Sequence, residues 1–134
     1  KQSRSDRYLE AIDKIQSRGV SVNGCFILGL DGHTPEIFEQ VSSFVESSGL
    51  LEVQLTVMTP FPGTPLYHRL HSEGRLLKER YWDRCTLFDV NYKPSGMSVE
   101  ELETGLRWLF EQTYNDEQFN KRKRNYIEIV KGRL

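Results

Sequence analysis

Hydrophobic and polar positions follow two periods along this chain, and the changes of period mark its elements. In residues 5–18, Tyr8, Ile12 and Ile15 fall on one stripe among charged neighbours, which predicts an amphipathic helix ended by Gly19. Residues 20–30 then run almost wholly apolar through Val22, Cys25, Phe26, Ile27 and Leu28, the pattern of a strand covered on both faces in a parallel sheet. Asp31-Gly32 turns the chain. Thr34 caps a second helix, Pro35 suits its first position and Glu36 suits the positive end of its dipole. Ile37, Val41, Phe44 and Val45 form its apolar stripe, and Ser47-Ser48-Gly49 closes it. In residues 51–58 the period becomes two, with Leu51, Val53, Leu55 and Val57 on one face and Glu52, Gln54 and Thr56 on the other. Helix, strand, helix, strand in this order predicts a right-handed βαβ unit with parallel strands behind a leading helix.

The remaining pattern is more helical. Thr64-Pro65 opens a short helix that Gly74 ends, residues 87–92 read as extended, and Pro94-Ser95-Gly96 is a turn. Ser98 and Glu101 have the spacing of a capping box. The helix they open carries Val99, Leu102, Leu106, Leu109 and Phe110 at helical spacing until Asn115-Asp116 breaks it, and a last helix spans about residues 117–131.

With 134 residues the chain has the size of one domain with a core of modest volume. Its 37% apolar and 28% charged content is that of a soluble globular chain. No apolar run reaches bilayer length, and no apolar core of a signal peptide follows the basic opening KQSRSDR. Two cysteines, Cys25 and Cys85, make no disulfide framework, so a cytoplasmic location is expected. A net charge of −1 argues against a general polyanion binder. The chain opens on Lys1 rather than Met, which suggests a piece of a longer polypeptide.

Parallel α/β architectures bind ligands at the carboxyl ends of their strands. Here those ends are residues 29–33, GLDGH, and 59–65, TPFPGTP, both leading into a helix. Prolines stiffen such loops and glycines admit a ligand close to the backbone, although the same residues also serve a plain turn. Asp31 and His33 could do acid–base work there, but a turn with an exposed histidine is the simpler reading. His68 and His71 could share a metal on one helix face with His33 or Asp31 approaching, but surface placement is simpler and no metal is expected. No Ser-His-Asp set, Walker loop or zinc-ribbon spacing occurs, and no catalytic residue is assigned. Lys121-Arg122-Lys123-Arg124, with Lys131 and Arg133, makes the last helix basic between Phe119 and Tyr126. Binding to RNA or to a partner protein through this helix is the alternative function, though a solvated face explains the charges and nucleic acid is not the expected partner. Trp82 and Trp108 read as core or docking anchors.

Several stretches taken together resemble the C-terminal half of radical S-adenosylmethionine (SAM) enzymes, in the branch whose members often carry a cobalamin-binding domain. Gly19-Val20 and Phe26-Ile27-Leu28-Gly29-Leu30-Asp31 resemble a late barrel strand of that family, and Thr59-Pro60-Phe61-Pro62-Gly63-Thr64-Pro65-Leu66 resembles the loop after the next strand. Gly74-Arg75-Leu76, Trp82-Asp83, Pro94, Met97-Ser98 and Glu101-Leu102 resemble its C-terminal extension. The resemblance covers nearly the whole chain. It implies a partial (β/α) barrel fragment over residues 1–75, a mainly helical extension over 76–134, and an iron–sulfur oxidoreductase or transferase as parent. It also implies that Phe26, Ile27, Leu28, Gly29 and Asp31 lie against SAM, that Thr59, Pro60, Pro62 and Gly63 border the cofactor or substrate mouth, and that Gln54 and Thr56 face the substrate. SAM and a 4Fe–4S cluster are the implied cofactors of the parent, with cobalamin as an optional third. The family's C-x3-C-x2-C loop is missing here, and two cysteines sixty residues apart cannot replace its three thiolates. The implied role is therefore to complete the barrel wall and help bind SAM and substrate together with the rest of the parent polypeptide, without catalysis by this chain alone.

Overall fold

A computed structural model describes residues 4–132. Helix α1 (Arg4–Gln16) leads into strand β1 (Asn23–Leu28), helix α2 (Glu36–Ser48) and strand β2 (Glu52–Val57). Helix α3 (Pro65–Ser72), a 3-10 turn (Trp82–Arg84), α4 (Val99–Tyr114) and α5 (Asp116–Lys131) follow. β1 and β2 pair in a parallel two-stranded sheet, so the first half is the expected βαβ unit and the class is α/β. No helix among the described residues is long and apolar enough to cross a membrane.

Local signals act where expected. Thr64 accepts the Tyr67 N–H at 3.2 Å and so caps α3. Ser98 and Glu101 exchange reciprocal bonds: the Ser98 N–H donates to Glu101 Oε2 at 2.7 Å, and the Glu101 N–H donates to Ser98 Oγ at 3.0 Å. Asn115 breaks one helix by capping the next, since its Oδ1 accepts the Gln118 N–H at 2.9 Å.

The chain divides into two compact units. Unit 1 gathers residues up to Phe26, Glu39–Gln54 and the chain from Leu109 onward. Its buried apolar residues include Ile12, Val41, Val45, Leu50, Val53 and Leu109. The fully buried Gln16 ties the α2–β2 turn, donating to the Gly49 carbonyl at 2.6 Å and accepting the Leu51 N–H at 3.3 Å. Unit 2 comprises Ile27–Phe38 and Leu55–Trp108. Leu28, Leu55, Val57, Leu70, Tyr81, Tyr92 and Leu102 are buried there, and Phe38 lies against Gly105, where a Cβ would collide with its ring.

Three expectations are corrected. β1 is not covered on both faces: Asn23 and Cys25 are exposed, Ile27 is 53% exposed, and Leu28 alone in the strand is buried. The described sheet has only two strands, so apolar content overstated how many layers pack on this one. Residues 87–92 do not form a strand. The chain bends at 86–89, where Asp89 accepts from Thr86 Oγ1 at 2.7 Å and from Arg84 at 2.7 Å, and only Tyr92 makes a β-bridge, to Leu76. Finally, Arg122 does not belong to an exposed basic face. It is 9% exposed and donates to the Thr113 carbonyl at 2.8 Å, in the last turn of α4. The negative end of that helix satisfies the guanidinium, while desolvation lowers its pKa. Tyr126 is likewise engaged, donating to the Gly19 carbonyl at 3.1 Å. Arg133 lies outside the described residues.

Candidate functional site: the carboxyl ends of the two strands

The loop after β1 begins at Gly29, whose φ of +79° suits glycine. Its carbonyl accepts a 2.5 Å hydrogen bond from the hydroxyl of Tyr92, and a Cβ at Gly29 would run into that hydroxyl and into Leu102. Tyr92 is wholly buried, and burial pushes its phenol pKa up, so it remains a donor. The Leu30 N–H donates to His33 Nδ1 at 3.3 Å, and the His33 N–H returns to the Leu30 carbonyl at 3.0 Å. Accepting at Nδ1 requires a neutral ring there, and desolvation favours it by lowering the His33 pKa.

Asp31 stands between two arginines. Arg69 donates to Oδ2 at 2.7 Å and Arg75 to Oδ1 at 2.8 Å. The hydrogen bonds from Arg75 and Arg69 hold its pKa at about 2. A carboxylate so held cannot act as a general acid near neutral pH, and both oxygens are already engaged. Arg75 also reaches Glu73 at 2.9 Å and the Lys93 carbonyl at 2.8 Å.

The loop after β2 is held in a parallel manner. The Thr59 hydroxyl lies 3.0 Å from the Val57 carbonyl and 2.9 Å from that of Thr86, within donating reach of either. The buried carbonyl of Pro60 accepts from the hydroxyl of Tyr81, whose pKa burial raises to about 12. Thr64 Oγ1 donates to the Phe61 carbonyl at 2.7 Å, which closes the turn. Pro62 and Gly63 at its tip remain exposed, and Gly63 has a φ of +79° with open space on its Cβ side.

Of the residues that sequence picks out, Ile27, Leu28, Gly29, Asp31, Thr56, Thr59, Pro60, Pro62 and Gly63 all lie in unit 2. Ile27, Asp31, Pro62 and Gly63 are exposed, whereas Leu28, Thr56, Thr59 and Pro60 are buried. Phe26 and Gln54 belong to unit 1. Phe26 packs edge-on against Phe44 with centroids 5.9 Å apart, and Gln54 is exposed with its Oε1 3.6 Å from the Cys25 thiol. His71 stacks on Tyr67 at 6.1 Å, and His68 meets the edge of the same ring. No group of three His, Cys, Asp or Glu side chains among the described residues could hold a metal. A 4Fe–4S cluster does not fit: Cys25 is in unit 1, Cys85 is in unit 2, and a third thiol does not exist. Sequence reading missed Tyr81, Tyr92, Arg69 and Arg75. For the tyrosines a weak signal existed, since a buried Tyr needs an acceptor for its hydroxyl. Arg75 stood in the Gly74-Arg75-Leu76 stretch of the resemblance without a role, and for Arg69 there was no signal.

Comparison with known proteins adds to this geometry. Residues 64–133 match the family model described as Domain of unknown function (DUF4070). The chain is 39% identical over 71 residues to the hopanoid C-2 methylase of Rhodopseudomonas palustris (strain TIE-1), covering 53% of this chain and 14% of that protein. It is 22% identical over 120 residues to the bacteriochlorophyllide d C-12(1)-methyltransferase of Chlorobaculum tepidum, covering 90% of this chain and 26% of that protein. An uncharacterized methyltransferase of Pyrococcus horikoshii matches at 26% over 106 residues, covering 79% of this chain and 23% of that protein. The chain thus spans about a quarter or less of the length of these relatives. The family model covers more than half of the chain, so the chain belongs to the DUF4070 family, and its kinship with radical SAM enzymes holds.

Proposed function

We propose that this chain is the closing part of a partial (β/α) barrel in a radical SAM methyltransferase, with residues 1–75 in the barrel and 76–134 as its helical extension. In this reading loops 29–33 and 59–65 border the SAM and substrate site. The observation that carries it is the treatment of the two strand ends. Each is held by a buried tyrosine hydroxyl on a backbone carbonyl, while the Pro62-Gly63 tip stays open. Loops ordered before binding lose less entropy on binding. The open residues of β1, and Gln54 on β2, suit the inner face of a barrel, with Gln54 and Thr56 toward substrate.

Ile27, Leu28 and Gly29 would line the adenosine end of SAM, with the buried Leu28, like Phe26 whose ring packs on Phe44, contributing backbone rather than side chain. Thr59 and Pro60 would set the shape of the mouth from behind, and Pro62 and Gly63 would face it. SAM would bring the methyl group; the cluster, and cobalamin where used, would be held by other parts of the parent polypeptide. Methyl transfer is favoured because relatives are named as methylases and methyltransferases acting on hopanoids and bacteriochlorophyllides.

The test uses the full polypeptide that carries this chain. Pro62→Ala should weaken SAM binding or turnover by about tenfold while the thermal midpoint moves little, because it lies at an exposed tip, and Gly63→Val, strained at a positive φ, should lose SAM use well beyond what its lower thermal midpoint accounts for. Unchanged SAM binding and turnover in both variants would reduce the loop to a turn.

A further inference from the structure

The segment that follows α3 fastens the loop after β1 at three residues, and Arg69 of α3 adds a further bond at Asp31. Tyr92 holds the Gly29 carbonyl, Arg75 holds the Asp31 carboxylate, and Ser95 Oγ accepts the Gly32 N–H at 3.4 Å. Arg75 is itself rigidly placed. Its own N–H donates to the Leu70 carbonyl at 2.9 Å, its carbonyl accepts the Lys93 N–H at 2.8 Å, and its side chain is 17% exposed. The guanidinium has three acceptors: Asp31, Glu73 and the Lys93 carbonyl. Across Asp31, Glu73, Arg69 and Arg75 the charges cancel, so no net charge remains for an ionic ligand. This arrangement fixes a loop better than it receives an anion.

We infer that Asp31 and Arg75 form a latch that sets the conformation of residues 29–33, and that both act on SAM affinity through that backbone rather than by touching SAM. They are positioning residues, and the inference rests on reading this loop as part of the SAM site. Arg75 gives Asp31 one charge-assisted bond, from Nη2 to Oδ1, and its bonds to Glu73 and the Lys93 carbonyl fix the plane of the guanidinium, so the contact sets direction as well as distance. Arg69, 47% exposed on its side chain, is the weaker partner, because water competes for it.

The experiment uses the full polypeptide, with SAM alone as the probe. Amide hydrogen exchange across residues 29–33 and equilibrium SAM binding are measured for Asp31→Asn, Arg75→Ala, Arg75→Lys and the double variant Asp31→Asn/Arg75→Ala. Asp31→Asn keeps the shape of the side chain and guards against an Arg75→Ala protein that fails to fold. Each single variant should speed exchange at Gly32 and His33 and weaken SAM binding on the order of tenfold. Lysine, which cannot fork, should restore affinity only in part. The double variant should bind no more weakly than the worse single one, because both remove the same latch. Additive losses in the double variant, or a loss in Asp31→Asn with exchange unchanged, would mean direct contact with SAM and overturn the inference. Wild-type exchange in all variants would overturn the latch, and wild-type SAM affinity in all of them would overturn its action on SAM. A wild-type polypeptide that binds no SAM would overturn the functional reading beneath it, while exchange would still report whether the latch holds the loop.

Discussion

In unit 2, two buried tyrosines spend their hydroxyls on backbone carbonyls, and the loops they hold project an exposed tip. In unit 1, Tyr8 is 63% exposed beside an apolar cleft of about 550 Å³ lined by Ile12, Val22, Phe26, Val41, Phe44 and Leu50. Tyr81 and Tyr92 are thus fixed anchors of the strand ends in unit 2, whereas Tyr8 is a loose wall in unit 1, although Tyr114 and Tyr126 of that unit do donate to the Val53 and Gly19 carbonyls. The difference lies in what each ring meets. Tyr92 has a carbonyl within reach at the floor of a packed core, whereas Tyr8 faces open space, where burial can contribute little. Order at the strand ends is therefore supplied by polar contacts within unit 2, and substitutions there should be felt more strongly than in the cleft.

The sharpest way to break this contrast is Gly29→Ala. It adds a Cβ where the Tyr92 hydroxyl and Leu102 already sit, at a positive φ, so a loss of about 3 kcal/mol is expected in chemical denaturation. A near-neutral result would mean that the tyrosine can withdraw and that the loop is not held.

Acid titration gives a smaller effect. The folded pKa of Asp31, about 2, lies below the ordinary value of about 3.9 for an unfolded aspartate. The unfolded chain therefore binds the proton first. The stabilisation is full above the unfolded value and is lost as pH falls through about 4 toward 2. With 37% of the side chain exposed, solvent screening keeps it modest. Asp31→Asn should flatten the fall in stability over that window, and an unchanged slope would show that the arginines contribute nothing there. The smallest effect belongs to the cleft: Tyr8→Ser should move stability by less than about 0.5 kcal/mol. A larger loss would show that the cleft wall is as well supported as the strand ends.

Some of this was legible in the chain. The alternation from Val53 to Val57 put the buried face of β2 in the right place, and Thr64-Pro65 and Ser98-Glu101 marked two helix starts at which the expected hydrogen bonds form. The two strand-end loops could be located because turn residues follow each apolar run. What holds them could not. Asp31 is 38 and 44 residues from its arginines, and Gly29 is 63 residues from the tyrosine that caps it. No local period connects such pairs. The exposure of Cys25 and the inward turn of Arg122 ran against composition for the same reason, since each depends on which layers come to lie beside the residue.

Sequence by itself determined the helices, the two paired strands, their order and the caps at Thr64 and Ser98, because these rest on backbone geometry and side-chain spacing within a few residues, and stretches of it resembled the family. Only the tertiary structure decided that Asp31 is a fastened carboxylate rather than a free one, that Tyr81 and Tyr92 anchor the strand ends, and that one cation of the last helix serves the core. A polar group's role is set by the partners that replace its water, and chain folding brings those partners from far along the sequence.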